Sequence, residues 1–136
     1  MNCIFCKIIA GDIPSIKVFE DDNTLAFMDI NPVSEGHLLV VPKKHFTTLF
    51  DADDDSLAQT ISVVRKLAVA LQKALGLDSL NLLQANGRWA AQSVPHFHFH
   101  VIPRREDDGV PLDLVLTPGN VEQVRKTGEA ISAALA

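Results

Sequence analysis

Residues 94–104, VPHFHFHVIPR, restrict the fold of this chain more than any other stretch. Within it histidines alternate with apolar residues: His96, His98 and His100 against Phe97, Phe99 and Val101. Successive side chains of a strand point to opposite faces, so this alternation predicts a strand with its apolar face on the core. The three imidazoles would then share the other face, at a spacing of roughly 7 Å.

The function of the three histidines stays open on this pattern alone. A single buried histidine held by one hydrogen bond is ordinary, but three in register would each need a partner of their own. A metal site is one alternative. Acid–base or nucleophilic catalysis is the other, because imidazole titrates near neutral pH.

Length and charge exclude several classes of protein. The 136 residues suit one domain, predicted to span 1–136. The chain has a net charge of −5 and no basic run, which predicts that it does not bind nucleic acid. No apolar run has the ~18–20 residues of a membrane span, and no signal peptide is evident, so a cytoplasmic protein without membrane association is expected.

The hydrophobic pattern predicts an α+β fold around a mostly antiparallel sheet. A short N-terminal helix, IFCKIIAG, should end at Gly11. Short turns join several of the apolar runs, which favours antiparallel neighbours. The predicted strands are KVFED, TLAFMDI, HLLVVPK, SLNLLQAN and HFHFHVIP.

Two further helices are predicted. The first runs from Ser56 to Leu75, with a capping box of Ser56 and Gln59 and a stop at Gly76. Its expected core stripe is Leu57, Ile61, Val64, Ala68, Leu71 and Leu75. The second begins near Thr117-Pro118, with an expected inner face of Val121, Val124, Gly128, Ile131 and Leu135.

Polar residues near the histidines suggest a nucleotide site, although each has a plainer interpretation. Phe27 and Asp29 share one face of a strand, where the Phe27 ring could pack against a base and the Asp29 carboxylate could bind ribose. Asp29 could equally cap the next turn. Asn86, Gln92 and Ser93 could bind phosphate oxygens or belong to an ordinary surface loop. In the same loop, Arg88 and Trp89 could gate a substrate or simply lie at the surface.

These motifs together resemble the histidine triad (HIT) superfamily of nucleotide hydrolases and transferases. HFHFHV fits its alternating histidine signature, and the resemblance extends over CIFCKII, FEDDNTLAFMDINPVSEGHLLVVPKKHF and QSVPHFHFHVIPR. It covers most of residues 2–104 and leaves 105–136 as a helical extension. The most similar members are bacterial Hint-like and dinucleoside polyphosphate hydrolase-like proteins.

The resemblance implies a five-stranded antiparallel sheet and specific roles for the residues. His98 would attack the α-phosphorus of a purine nucleotide substrate and form a covalent nucleotidyl-histidine. His100 would contact the phosphate and help the leaving group, and His37 would orient His98. Other positions would bind substrate: Asn86, Gln92 and Ser93 the phosphate, Asp29 the ribose, and Ile4, Phe5, Ile8 and Phe27 the base.

The resemblance also implies a structural zinc ion and a homodimer. Cys3 and Cys6 form a C-x-x-C motif, which in a reducing compartment favours a metal knuckle or a redox pair. The plainer interpretation is that both are small, partly buried residues near the N-terminus. With His45 and His96 they supply the ligands of a closed zinc site, whereas the chemical step would need no metal. The dimer would join two sheets edge to edge.

Three functions therefore remain to be compared. The first is an enzyme, either a nucleoside phosphoramidase or a dinucleoside polyphosphate hydrolase, acting through His98. The second is a nucleotide-binding regulatory protein whose turnover is incidental. The third is a metalloenzyme with zinc at the triad. Residues 105–136 lack the tryptophan-containing tail of some eukaryotic members, which leaves the leaving group open.

Overall fold

A five-stranded antiparallel sheet forms the centre of the computed structural model, which describes residues 2–135. Its strands are β1 (Lys17–Glu20), β2 (Thr24–Met28), β3 (Leu38–Pro42), β4 (Ser79–Leu83) and β5 (Phe99–Arg104). Their order in the sheet is β1-β2-β3-β5-β4. The helices are α1 (Ile4–Ala10), α2 (Asp54–Leu75) and α3 (Val121–Ala134). The predicted fold class is confirmed, and β3 ends at Pro42 as its missing N–H requires.

Strand alternation gives the sheet two apolar faces. On one face α2 packs on a cluster that includes Ala26, Val40 and Val101. On the other, the short helix α1 packs through Phe5 and Ile8 on a second cluster that includes Leu25, Phe27, Leu39 and Val41. Because neighbouring residues of β2 and β3 serve opposite faces, these strands are buried along nearly their whole length.

The start and buried face of α2 differ from the prediction. Its N-cap is Asp53, whose carboxylate accepts hydrogen bonds from the backbone N–H and the hydroxyl of Ser56. Ile61 of the expected stripe is exposed, and the residues actually buried are Ser56, Thr60, Val63, Val64, Leu67 and Leu71. Thr60 is buried because its hydroxyl donates to the Ser56 carbonyl at 2.7 Å, which a count of apolar residues cannot detect.

The C-terminal helix also differs from the prediction. Asn120 caps α3 by accepting from the Gln123 N–H, so Pro118 precedes the cap instead of lying in the first turn. The expected inner face of α3 is exposed in every one of its residues. Across residues 2–135, no helix has the length and hydropathy needed to cross a bilayer.

The triad strand is shorter than predicted. Strand β5 starts at Phe99, so His96 lies in a bend and His98 in the irregular segment just before the strand. The alternation nevertheless persists: Phe97 is buried against Phe46 and Phe99, while the rings of His98 and His100 lie side by side with centroids 5.0 Å apart.

Gly36 supports the segment that carries His37. Its φ of +92° lies in the region that favours glycine, and a Cβ there would lie 2.7 Å from Leu75 Cδ1 and 3.1 Å from Pro103 Cγ. We expect Gly36→Ala to lower the free energy of unfolding by about 2–4 kcal/mol, from backbone strain plus overpacking. Urea denaturation measures this loss.

Gly76→Ala is the matched control, because Gly76 has a φ of +63° and a Cβ added there would meet nothing within 4 Å. It should cost only about 1–2 kcal/mol, the strain alone. If both variants lost the same free energy of unfolding, the close contact of position 36 with Leu75 and Pro103 would not contribute to stability.

Candidate active site

A cavity of about 360 Å³ opens between α1, the β2–β3 face and the segment that leads into β5. Its volume lies in the range of small-molecule sites. The lining residues predicted from the sequence are Ile4, Phe5, Ile8, Phe27, Asp29, Ser93, His98 and His100. The structure therefore brings most of the candidate site residues around one space.

One wall of the cavity is apolar. Phe5 packs edge-on against Phe27, with ring centroids 5.5 Å apart, and edge-on against His98 at 5.1 Å. Leu39 lies beside them because β3 pairs it with Phe27 in register. A flat heterocycle could be buried against these side chains, with the reactive imidazole at one end of the wall.

Asp29 both caps the turn that follows β2 and lines the cavity. Its Oδ1 accepts from the Asn31 N–H at 2.8 Å, which caps the turn after β2. Its Oδ2 lies 3.5 Å from His37 Nε2, and the residue lines the cavity. One carboxylate oxygen thus fixes the turn, while the other faces the imidazoles and the space for a ligand.

The tautomer of His98 follows from one hydrogen bond. Its Nδ1 lies 2.7 Å from the carbonyl oxygen of His96. A carbonyl can only accept, so Nδ1 carries the proton and Nε2 keeps a lone pair. A buried imidazole with a free Nε2 beside a cavity is the arrangement that a nitrogen nucleophile needs.

His37 orients His100 rather than His98, which corrects the predicted target. The Val33 N–H donates to His37 Nδ1 at 3.1 Å, so the proton of His37 is on Nε2. That nitrogen lies 2.9 Å from His100 Nδ1 and donates to it. The proton of His100 is consequently on its Nε2, which makes His100 a hydrogen-bond donor in the cavity.

Burial keeps these imidazoles neutral. It lowers the pKa of His37 and of His98, although the Asp29 carboxylate opposes the effect at both. Burial, with the nearby His98 and His37, lowers the pKa of His100 to about 4. Near pH 7 the site therefore holds an unprotonated nucleophile without having to remove a proton first.

The three predicted phosphate ligands are placed differently from one another. Ser93 lines the cavity. Gln92 instead accepts from the Gly87 N–H and donates to the carbonyls of Thr47 and Val94. Asn86 accepts from the Leu49 N–H at 2.7 Å. The side chains of Gln92 and Asn86 join two loops here and are not among the cavity-lining residues, so their contact with phosphate stays a prediction.

Arg88 and Trp89 lie on a single 3-10 turn between β4 and the triad. Trp89 is 93% exposed, and the Arg88 guanidinium lies over its ring, 4.9 Å from the centroid. Neither residue lines the cavity. The structure supports the surface interpretation of this pair more than a gate.

Sequence reasoning missed part of the cavity lining. The additional residues are Ile13, Pro14, Ser15, Met28, Ile30, Asn31, Leu39 and Val94. Leu39 could have been found by pairing β2 with β3 in register, because it then lies opposite Phe27. The Ile13–Ser15 loop has no comparable pattern, since it reaches the cavity only through the position of α1.

The side chains of Cys3, Cys6, His45 and His96 form a separate cluster beside the cavity. Their ligand atoms all lie within 4.8 Å of one another. His96 Nδ1 is 3.3 Å from Cys3 Sγ and 3.6 Å from Cys6 Sγ, while His45 Nδ1 is 3.4 Å from Cys6 Sγ and 3.0 Å from His96 Nδ1. Tetrahedral zinc would separate sulfur from nitrogen by about 3.5 Å and two nitrogens by about 3.3 Å, so the set fits.

The surroundings of the cluster also suit metal ligation. His96 Nε2 donates to the Pro42 carbonyl at 2.8 Å, which leaves Nδ1 with a lone pair toward the sulfurs. The Cys6 N–H donates to Cys3 Sγ at 3.3 Å. Burial and the neighbouring Cys3 raise the pKa of the Cys6 thiol to about 11, so the protein alone does not stabilise a thiolate there.

A second possible metal group, Asp29, His37 and His100, lies at the triad. There the Val33 N–H and His100 already occupy both nitrogens of His37. A metal could bind His37 only after one of these hydrogen bonds was lost. The geometry thus favours the cysteine cluster as the metal site.

Comparison with known proteins assigns the family. A HIT-domain family model matches residues 10–107. The chain belongs to the HIT family. An adenosine 5'-monophosphoramidase of Schizosaccharomyces pombe is 43% identical over 134 residues, which cover 98% of both chains. The predictions of HIT membership and of an enzyme of this family are confirmed.

Solved structures of HIT proteins match the fold over the whole chain. A HIT family protein from Bacillus subtilis superposes with a TM-score of 0.92 at 41% identity, covering 100% of this chain and 99% of that one. A zinc-bound histidine triad protein from Mycobacterium smegmatis gives a TM-score of 0.77 at 34% identity, with the same coverage.

The neutral histidines should make stability depend on pH. In the unfolded chain a histidine takes up its proton near pH 6.5, whereas folded His100 does so only near pH 4. Between these pH values the unfolded state binds more protons than the folded state, so the free energy of unfolding should fall as pH is lowered. The stability that depends on neutral His100 should be fully retained above pH 6.5. Urea denaturation from about pH 7.5 to about pH 5 measures the slope.

His100→Gln is the control, because glutamine cannot be protonated. The variant should lose part of the pH slope, whatever its stability at neutral pH. An identical slope in both proteins would show that His100 is not held neutral by the fold.

Proposed function

We propose that this HIT protein hydrolyses a purine nucleoside phosphoramidate at its α-phosphorus through a covalent intermediate on His98. The observation that carries the proposal is the fixed tautomer of His98, with its Nε2 lone pair free beside a cavity large enough for a nucleoside. The name of the Schizosaccharomyces pombe relative supports an adenosine 5'-monophosphoramidate as the substrate.

In the first step, His98 Nε2 attacks phosphorus and the P–N bond to the leaving amine breaks. The leaving nitrogen keeps the bonding pair and takes up one proton. Positive charge develops on the His98 ring, where the His96 carbonyl at 2.7 Å and the Asp29 carboxylate stabilise it. The Nε2–H of His100 can donate to a phosphate oxygen and help the leaving group.

In the second step, water attacks phosphorus, the bond to His98 breaks, and Nε2 recovers its lone pair. Water loses one proton, which balances the proton taken up by the amine. The nucleoside monophosphate is released. Splitting one displacement into two lets a neutral imidazole replace water as the first nucleophile.

The remaining residues bind and position the substrate. The base would be buried against Ile4, Phe5, Ile8 and Phe27, and Asp29 Oδ2 would bind ribose hydroxyls. Ser93 would contact the phosphate directly. Asn86 and Gln92 would act mainly by holding the loop that carries Ser93, because their amides are engaged within the protein.

We further propose a closed structural zinc site at Cys3, Cys6, His45 and His96, with no metal needed for the chemical step. When bound, zinc would tie the start of α1 to the segment before β5. Two thiols arranged for ligation suit the reducing cytoplasm, which is the proposed location. The whole chain would act as one domain and as a homodimer with another copy.

His98→Ala should lower turnover of an adenosine phosphoramidate by at least about a thousandfold, because the covalent route is lost. No nucleotidyl-enzyme should be trapped in a single turnover. His100→Ala is the matched control, since it keeps the nucleophile and should still form the intermediate, more slowly. The adduct is measured by mass spectrometry after an alkaline denaturing quench, because its phosphorus–nitrogen bond is hydrolysed in acid.

Trapping also separates the competing functions. Near wild-type turnover in His98→Ala would contradict the mechanism, and wild-type protein that binds nucleotide without any adduct would favour a regulatory binding protein. Dinucleoside polyphosphates and guanosine phosphoramidates belong in the same substrate panel. Faster cleavage of either would change the assigned substrate but not the nucleophile.

Removing zinc should lower the melting temperature and weaken nucleotide binding more than it slows the chemical step. The reason is that α1 carries both the cysteines and the wall of the base pocket. Cys3→Ser/Cys6→Ser should abolish zinc content by elemental analysis, whereas His98→Ala should hold as much zinc as wild type.

Two results would count against the zinc proposal. One is a double cysteine variant of unchanged stability, and the other is protein purified without chelator that holds no zinc. Chelation that stops the chemical step at unchanged stability would instead support a metal at the triad.

A further inference from the structure

The wall of the cavity contains two polar side chains that the proposed mechanism does not use, Ser15 and Asn31. Within residues 2–135 neither side chain makes a hydrogen bond, although the backbone N–H of Asn31 donates to Asp29. Ser15 is half-buried, whereas Asn31 is exposed. A half-buried hydroxyl beside a ligand space is suited to bind the ligand, because a polar group that loses water without gaining a partner costs free energy.

The backbone places Ser15 directly opposite Asp29. The antiparallel pairing of β1 with β2 continues beyond the start of β1, because the Met28 N–H donates to the Ile16 carbonyl at 2.9 Å. In an antiparallel pair, one step back along one strand matches one step forward along the other. Ser15, one residue before Ile16, therefore lies opposite Asp29, one residue after Met28.

The side chains of Ser15 and Asp29 consequently share one face. Directly opposite residues of an antiparallel pair point to the same side, with their Cβ atoms about 4.5–5.5 Å apart. Both residues line the cavity, as this register requires. Met28 alternates with them and packs on the cluster at the other face of the sheet. The hydroxyl and the carboxylate thus occupy the same part of the cavity wall.

The Asp29 carboxylate leaves part of a ribose without a partner. Its Oδ1 accepts from the Asn31 N–H at 2.8 Å, and its Oδ2 lies 3.5 Å from His37 Nε2. Ribose carries two neighbouring hydroxyls, each of which can donate and accept a hydrogen bond. One hydroxyl can donate to Oδ2, and the second needs another group. A serine hydroxyl can serve this purpose because it also donates and accepts.

The other polar groups of the cavity are less suited to the second hydroxyl. Among the described residues that line it, the polar side chains are Ser15, Asp29, Asn31, Ser93, His98 and His100. The last three lie at the end of the cavity where phosphorus reacts. Asn31 follows the turn that Asp29 caps, and its side chain is exposed. Ser15 remains as the hydroxyl beside the carboxylate.

We propose that Ser15 is a second ribose-binding residue, whose hydroxyl hydrogen-bonds to the sugar hydroxyl that Asp29 leaves free. The inference rests on the nucleoside substrate of the proposed function and adds a preference for the sugar. Ribonucleotides should bind more tightly than the deoxynucleotide that lacks this hydroxyl, because the Ser15 hydroxyl is then left without its partner.

The test removes the hydroxyl from the protein and from the ligand in turn. Calorimetry measures the Kd of adenosine 5'-monophosphate and of its 2'-deoxy and 3'-deoxy analogues for wild type and Ser15→Ala. The Kd of the ribonucleotide should rise about three- to tenfold in Ser15→Ala, the loss of one neutral hydrogen bond. For one of the two deoxy analogues, wild type and Ser15→Ala should bind equally well, which identifies the sugar hydroxyl that Ser15 contacts.

Ser62→Ala is the matched control, because Ser62 is an exposed serine of α2 that does not line the cavity. Its Kd for all three nucleotides should equal that of wild type. The melting temperature of Ser15→Ala should also equal that of wild type, since the Ser15 hydroxyl makes no hydrogen bond within residues 2–135. With a phosphoramidate substrate, Ser15→Ala should raise KM with little change in kcat, because Ser15 lies beside the sugar and not beside phosphorus.

Two results would overturn the assignment of Ser15 while nucleotide binding stands. One is an unchanged Kd of the ribonucleotide in Ser15→Ala, and the other is an equal loss for the ribonucleotide and both deoxy analogues. Wild type that binds no adenosine 5'-monophosphate would overturn the nucleotide site together with the Ser15 contact. Absence of a nucleotidyl-enzyme, with the difference between ribose and deoxyribose intact, would instead overturn the covalent mechanism and leave Ser15 as a ribose ligand.

Discussion

His96 is the residue on which the geometry of both sites depends. Its ring donates to the Pro42 carbonyl and keeps Nδ1 toward the cysteines, and its own carbonyl accepts the proton of His98 at 2.7 Å. One residue thereby anchors the segment to β3, supplies a nitrogen to the cysteine–histidine cluster and sets the tautomer of His98 two residues later. A shift of the His96 backbone would disturb His98 as well as the cluster. A histidine that does not line the cavity therefore supports both groups of residues.

The alternation in VPHFHFHVIPR allowed much of this arrangement to be predicted, because period two is set by the backbone and not by tertiary context. The residues of α1 and β2 that line the cavity and the four residues of the cysteine–histidine cluster were likewise identified from the resemblance. The partner of His37 was not, since Val33 donates to it through a backbone N–H that carries no sequence signal. The hydrogen bonds that Gln92 and Asn86 make within the protein were not predicted for a related reason, because loop geometry decides them.

Helical patterns show where such prediction stops. In α2 the stripe was misjudged because Ser56 and Thr60 are buried, with the Ser56 hydroxyl donating to Asp53 and the Thr60 hydroxyl donating to the Ser56 carbonyl. In α3 the apolar stripe was found correctly, but its expected burial within the chain was wrong. Periodicity identifies an apolar face and says nothing about which molecule covers it.

The short helix α1 contributes residues to both the cysteine–histidine cluster and the cavity wall. A helix of seven residues is not stable by itself, so its position has to come from tertiary contacts. These contacts are of two kinds: Phe5 and Ile8 pack on the sheet, and Cys3 and Cys6 meet His45 and His96. Phe5 lies between the two cysteines in sequence and touches the ring of His98. If the contacts of the cluster were lost, apolar packing would have to hold Phe5, and the cavity wall would loosen while the hydrogen bond that sets the His98 tautomer remained.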